Sequence, residues 1–327
     1  LNSKRLLVVA GVAFGLLCLW FALANVRAAE LWASLSTADW RTVPIFLLVL
    51  FAYYWLKASR WRRLLAPIKD IPTRQLFPAL MVGYGVSSIL PLHLGEVFRM
   101  LMVRADHAIR MSALVMSIAV ERLLDLVTIP LLFALAMITG PDVPSVLVRT
   151  GYLVGLAGIG GIAFVALFIV RPQLVFRMVA GLTSWLPDQW REKIVAQLET
   201  AATGAGALKD SRRMIVVVAL TLAQWAMMWL CIWLSIWSVG ISVSWSASML
   251  TVALINIAVA LPTSPGFIGS VQAAFVIALL AYGVGNEAAV AASIFFHVLA
   301  YVSVVLAGLV FMRRAGQSIA SLRRAAE

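Results

Sequence analysis

Apolar runs of membrane length, separated by short charged stretches, organise this chain from end to end. Six are long enough, or nearly so, to cross about 30 Å of hydrocarbon at about 1.5 Å per residue. They are Leu6–Ala24, Val43–Leu56, Ser112–Thr139, Gly151–Val170, Met214–Val239 and Ala288–Met312. Two further apolar segments are interrupted. Phe77–Leu90 is parted from Gly95–Val103 by Pro91 and His93, and Ala247–Leu261 is parted from Gly266–Tyr282 by Pro262 and Pro265. Proline removes a backbone donor and glycine loosens a helix, so neither segment forms one regular spanning helix. Each arm is short for a full crossing, which predicts re-entrant hairpins at 77–103 and 247–282.

The resulting plan repeats. Residues 1–139 read as span, span, broken hairpin, span, and residues 140–312 read the same way around a cytoplasmic segment at 173–210. A basic tail, 313–327, follows. Three crossings per half is an odd number, so the second half runs inverted relative to the first. The predicted fold class is an all-α polytopic membrane protein, with about six transmembrane helices and two re-entrant broken helical hairpins arranged as an inverted repeat. Breaks at matching positions in two such halves are the usual pointer to a transporter's substrate site. Within 187–210, Trp190, Ile194, Leu198, Ala201, Ala205 and Leu208 recur at three- and four-residue steps. This predicts an amphipathic helix at the membrane interface or packed on the bundle.

Composition supports the membrane reading. Hydrophobic residues make up 63% of the chain and charged residues 12%, with a mean hydropathy of +0.98; a soluble domain is nearer half apolar and a quarter charged. The net charge of +12 does not point to nucleic acid, because the basic residues cluster at the ends of apolar runs. Lys57, Arg60, Arg62, Arg63, Lys69 and Arg74 fall in one loop; Arg171, Arg177, Arg191, Lys193, Lys209, Arg212 and Arg213 fall in another. The intervening loops 25–42, 140–150 and 240–246 are poor in net charge. Both termini are therefore expected in the cytoplasm. Leu6–Ala24 is too long for the apolar core of a signal peptide and is taken as a retained first span. The two cysteines, Cys18 and Cys231, lie inside apolar runs, which argues against a disulfide framework or thiolate metal site. No cofactor is expected.

Candidate chemistry sits at the midplane and at the breaks. Glu121, Arg122 and Asp125 lie deep in the third span, and each charge costs on the order of 2.5–3.5 kcal/mol there. Ser117, Glu121 and Asp125 share a face, and Arg122 can reach Asp125 at i+3. Two readings stand: an ion-pair network that locks helix packing, or groups that bind or couple a substrate. The last span carries Ser293, His297 and Tyr301 at four-residue steps, a polar stripe in the equivalent place. The first break carries Ser88, His93, Gly95, Glu96 and Arg99. A half-helix starting at Gly95 would offer free N–H groups to an anion, with Arg99 one turn on as a bidentate partner, or Glu96 could pair with Arg99 instead. Ser264, Gly266 and Gly269 form a second such helix start, with Gln272 beside it.

The motifs Gly95-Glu96-x-x-Arg99, Glu121-Arg122-Leu123-x-Asp125 and Pro265-Gly266-x-x-Gly269, in this order, resemble those of the lysylphosphatidylglycerol synthase transmembrane-region family. These are flippase-like proteins related to the N-terminal half of the bacterial multiple-peptide-resistance factor. The resemblance spans nearly the whole chain. It implies a membrane lipid substrate, anionic or sugar-bearing, moved between leaflets of a bacterial inner membrane, with a lipid synthase or glycosyltransferase as a candidate partner. Two positions depart from the family pattern, which often has a second glycine where Phe267 stands and a glutamate where Gln272 stands. The soluble aminoacyl-transferring domain of larger relatives is expected to have no counterpart in a chain ending at Glu327. A membrane-embedded lipid-modifying enzyme and a non-transporting accessory subunit are the competing functions. Against the enzyme stand the lack of an Asp-x-Asp pair and of a His-x-x-x-His cluster.

Overall fold

The computed structural model describes residues 3–24, 26–89, 94–140, 145–183, 211–260 and 264–315. His93, the two break tips at 90–93 and 261–263, the amphipathic segment from 184 to 210 and the tail from 316 lie outside the described residues. Every element among the described residues is helical. Besides two 3₁₀ turns, Trp40–Thr42 and Pro265–Phe267, they are in chain order α1 (Ser3–Leu23), α2 (Ala28–Ser36), α3 (Val43–Leu65), α4 (Thr73–Ile89), α5 (Gly95–His107), α6 (Met111–Thr139) and α7 (Ser145–Val170). Then come α8 (Pro172–Leu182), α9 (Ser211–Ser238), α10 (Trp245–Ala260), α11 (Ser270–Leu280) and α12 (Asn286–Arg314). Three stretches are by themselves long and apolar enough to cross a membrane: Trp40–Leu65, Arg212–Ser238 and Asn286–Arg314. Helices α6 and α7, at 29 and 26 residues, are of comparable length.

Two boundaries differ from those predicted. The second span does not end at Leu56 but continues to Leu65, because its inward stripe does: Phe46, Val49, Leu50, Tyr53, Lys57, Arg60, Trp61 and Leu64 are all buried. The loop expected after the first span instead contains α2, which turns away from α1 by 85°.

Helices α3 and α9 form the central pair. Asp39 N–H donates to Ser238 O at 2.7 Å at one end, and Arg60 reaches Thr221 at the other, so the two run antiparallel. Around this pair the packing is reciprocal. The first arm of the first break, α4, lies on α12, and the first arm of the second break, α10, lies on α6. Likewise α3 touches both α6 and α12, and so does α9.

Where helices cross closely, glycines make room. Gly95 starts α5 with its Cα facing the Gly83 carbonyl of α4, and Gly85 of α4 meets Gly308 of α12. On α7, Gly151, Gly155, Gly158 and Gly161 line the side facing Met137, Ala134, Leu131 and Val127 of α6. Such small-residue stripes let backbones approach where no hydrophobic drive separates protein from lipid. The first break folds back on itself: the Lys69 ammonium, just before α4, donates to the His107 carbonyl at the end of α5 at 3.0 Å. The second break folds α11 along α10, with Ala278 in one cluster with Leu250 and Ala253. The breaks also meet, since the Gly266 Cα faces both the Tyr301 ring and the Ser88 carbonyl at the end of α4.

A side chain at Gly95 would drive α4 and α5 apart. Gly95→Val is expected to lower the thermal midpoint of the detergent-solubilised protein by the equivalent of about 1–3 kcal/mol. Gly160→Ala, at a helical site with nothing within 4 Å, is expected to raise it slightly, by about 0.4–1 kcal/mol. Equal effects of the two substitutions would contradict the close crossing.

Candidate functional site

The buried stripe of α3 brings Lys57 and Arg60 into the protein interior, where the sequence reading had placed them in a cytoplasmic loop. Arg60 is 0% exposed and Lys57 2%. Three- and four-residue spacing from Phe46 through Leu50, Tyr53 and Lys57 to Arg60 and Leu64 sets both on the apolar face, while Arg62 and Arg63 fall off it. Arg62 pairs at the surface with Asp70 at 2.9 Å, which holds the Asp70 carboxyl below its usual range.

Arg60 meets α6. Its Nη1 donates to Asp125 Oδ1 at 2.7 Å and its Nη2 to Oδ2 at 3.1 Å, a bidentate fork. Asp125 Oδ1 also accepts from Gln224 Nε2 at 3.1 Å and Trp225 Nε1 at 3.2 Å, both on α9. Glu121 is 0% exposed. It sits between two arginines, with Arg60 Nη2 3.2 Å from Oε1 and Arg99 Nη2 donating to Oε2 at 3.1 Å. The Arg99 guanidinium stacks over the Trp61 ring at 4.9 Å, and Trp61 Nε1 donates to Ser117 Oγ at 2.9 Å. Five helices, α3, α5, α6, α9 and α4 through Tyr84, thus converge on one polar core.

Several pairings differ from those expected. Asp125 binds Arg60 rather than Arg122. Arg122, whose side chain is 46% exposed, pairs with Glu96 at 3.1 Å and lies 3.7 Å from Glu121. Glu96 therefore does not pair with Arg99. Arg99 is buried and committed to Glu121 through one nitrogen, while its Nε and Nη1 have no hydrogen-bond partner among the described residues. Ser88 returns its hydroxyl to the Tyr84 carbonyl at 3.0 Å.

Charge does not balance in this core. Lys57, Arg60, Arg99 and Arg122 supply four cations, and Glu96, Glu121 and Asp125 three carboxylates. Among the described residues the cation with no carboxylate within 4 Å is Lys57, although its charge still acts on Asp125 and Glu121. Its ammonium lies 5.2 Å from the Tyr53 ring centroid, 5.4 Å from Tyr84 and 6.0 Å from Trp225. Each ring contributes about 0.5–2 kcal/mol of attraction, whereas an unpaired buried ion costs several kcal/mol.

The second break is held by a separate chain of hydrogen bonds. Gly269 N–H donates to Gln272 Oε1 at 2.7 Å, Gln272 Nε2 lies 3.0 Å from His297 Nδ1, and His297 Nε2 lies 2.8 Å from the Gly266 carbonyl. A carbonyl can only accept, so Nε2 carries the proton and Nδ1 accepts from the amide. Both His297 nitrogens thus serve the turn. The Ser264 hydroxyl closes the same turn by donating to the Ile268 carbonyl at 2.6 Å. Gly266 and Gly269 sit at φ of 71° and 88°, and Phe267 at 57°, a left-handed conformation that a bulky residue adopts only under constraint.

These features define a class: an α-helical membrane protein with two broken helices meeting beside a buried, net-positive ion cluster. The chain belongs to the family described as the lysylphosphatidylglycerol synthase TM region, whose model matches residues 8–308. It is similar to the glycosyltransferase AglD of Haloferax volcanii, with 24% identity over 342 aligned positions. That alignment covers 94% of this chain and 54% of the relative, so the chain spans about half the length of the relative it matches.

Removing one partner of a fully buried ion pair leaves the other uncompensated. Asp125→Ala is expected to destabilise by about 3–5 kcal/mol, and replacing Arg60 by Met together with Asp125 by Leu to cost less than the two single changes summed. Arg122→Ala, at a half-exposed pair, is expected to cost no more than about 1 kcal/mol. Thermal unfolding of Asp125→Ala, Arg60→Met, Asp125→Leu, the Arg60→Met/Asp125→Leu double and Arg122→Ala checks the ranking.

Proposed function

We propose that the protein moves an anionic or sugar-bearing lipid between membrane leaflets by alternating access. The observation that carries this reading is the junction of the two helix breaks, Gly266 against Ser88, beside an ion cluster with one cation in excess. Non-helical backbone at membrane depth persists where protein buries it or where it lines a substrate path. The antiparallel pairing of α3 with α9 and the reciprocal docking of α4 on α12 and α10 on α6 support an inverted repeat. In that plan, rocking of one half against the other exposes the junction to each side in turn. Both termini then lie in the cytoplasm of a bacterial cell, and the lipid headgroup travels past Arg122 and Glu96 while its acyl chains stay in the bilayer.

A second reading is favoured by the relative's name: the chain forms the membrane-embedded part of a lipid-glycosylating enzyme. The two are separated by reconstituting the purified protein into vesicles with fluorescent phosphatidylglycerol in the inner leaflet. Transport predicts that the quenchable outer fraction rises with protein present and that the lipid is recovered chemically unchanged. Failure of any tested lipid to move, together with conversion of a polyprenyl-linked or diacylglycerol acceptor in the presence of a sugar donor, would replace the first reading by the second.

A further inference from the structure

We propose that Lys57 and Tyr84 form the seat for the phosphate group of the transported lipid. The proposal rests on the transport reading only for the source of the phosphate; the anion site itself is argued from the residues. Among the described residues, each carboxylate of the core is committed to an arginine: Asp125 to Arg60, Glu121 to Arg60 and Arg99, and Glu96 to Arg122. The Lys57 ammonium has no carboxylate within 4 Å and no hydrogen-bond acceptor in this set. Three aromatic faces surround it, and they attract a cation without accepting its protons.

Tyr84 adds a second donor to the same place. Its ring lies 5.4 Å from the ammonium, and its buried hydroxyl has no partner among the described residues. The phenol is also within electrostatic reach of Arg60 and Arg122. The ammonium, 5.4 Å from the Tyr84 ring, and the Tyr84 hydroxyl both lack a hydrogen-bond acceptor among the described residues, and with one cation in excess of the carboxylates the pair suits an occupant that accepts from both and carries negative charge. A phosphate ester has two unesterified oxygens, enough to engage both at once, and its charge cancels the surplus cation. The half-exposed Arg122–Glu96 pair, one helical residue from Glu121, marks the side from which a headgroup would enter.

The test uses the full chain in detergent and in vesicles, with water-soluble dihexanoyl phosphatidylglycerol, dihexanoylglycerol and inorganic phosphate as probes. Phosphatidylglycerol is expected to raise the thermal midpoint of the wild type, and the phosphate-free diacylglycerol is expected not to. Lys57→Met should weaken the apparent affinity at least tenfold and Tyr84→Phe several-fold. Lys57→Met removes the one cation in excess of the core carboxylates and should fold; if it does not, Tyr84→Phe, which lacks a single oxygen, carries the test. Wild-type affinity in both variants would overturn the proposal. Lys57-dependent binding of inorganic phosphate with no gain from acyl chains would overturn the lipid assignment and leave a free-phosphate site. Lys57-dependent lipid binding without lipid movement would uphold the seat and sink the transport reading. Movement at wild-type rate by Lys57→Met would do the reverse.

Discussion

Arg60 must find acceptors where water cannot reach, and that requirement positions much of the bundle. Its fork fixes the rotation of α3 against α6 through Asp125, and its remaining reach holds Glu121, which in turn holds Arg99 on α5. Gln224 and Trp225 complete Asp125 from α9. An apolar core tolerates a helix turned by several degrees, because dispersion contacts are not directional. A bidentate ion pair in a low dielectric does not, so this cluster specifies one arrangement of helices as well as contributing to their cohesion.

The apolar skeleton was legible in the sequence because span length and break chemistry are local properties. The runs at Ser112–Thr139, Gly151–Val170, Met214–Val239 and Ala288–Met312 correspond closely to helices. The polar core was only half legible. Glu121 and Asp125 stood out as charges inside an apolar run. Lys57 and Arg60 did not, because they follow directly on a Trp/Tyr flank and precede Arg62 and Arg63, so the positive-inside rule absorbed all four. The signal that separates them is periodicity: only Lys57 and Arg60 continue the stripe from Phe46. Thr221, Gln224 and Trp225 carried no sequence mark, since their role depends on α9 lying antiparallel to α3.

The second break shows why two family departures belong together with a third residue. Gln272 offers an acceptor to Gly269 and a donor to His297, which a glutamate at that position could not do against a neutral imidazole. Of the polar stripe on α12, His297 is committed to this turn, and Ser293 returns its hydroxyl to the Val290 carbonyl of its own helix. Phe267 holds a left-handed conformation where the family pattern often has glycine, so the hydrogen bonds on either side of it do the constraining that glycine would make unnecessary.

The close crossings have a mechanical meaning. At Gly83 and Gly95, Gly85 and Gly308, and Gly15 and Gly269, backbone meets backbone. A side-chain interface accommodates motion by switching rotamers, but these contacts have no rotamers to switch. Helices joined there behave like rods touching at bearings: they slide, pivot or part as whole bodies. Small local adjustments are consequently concentrated in the joints between the rods.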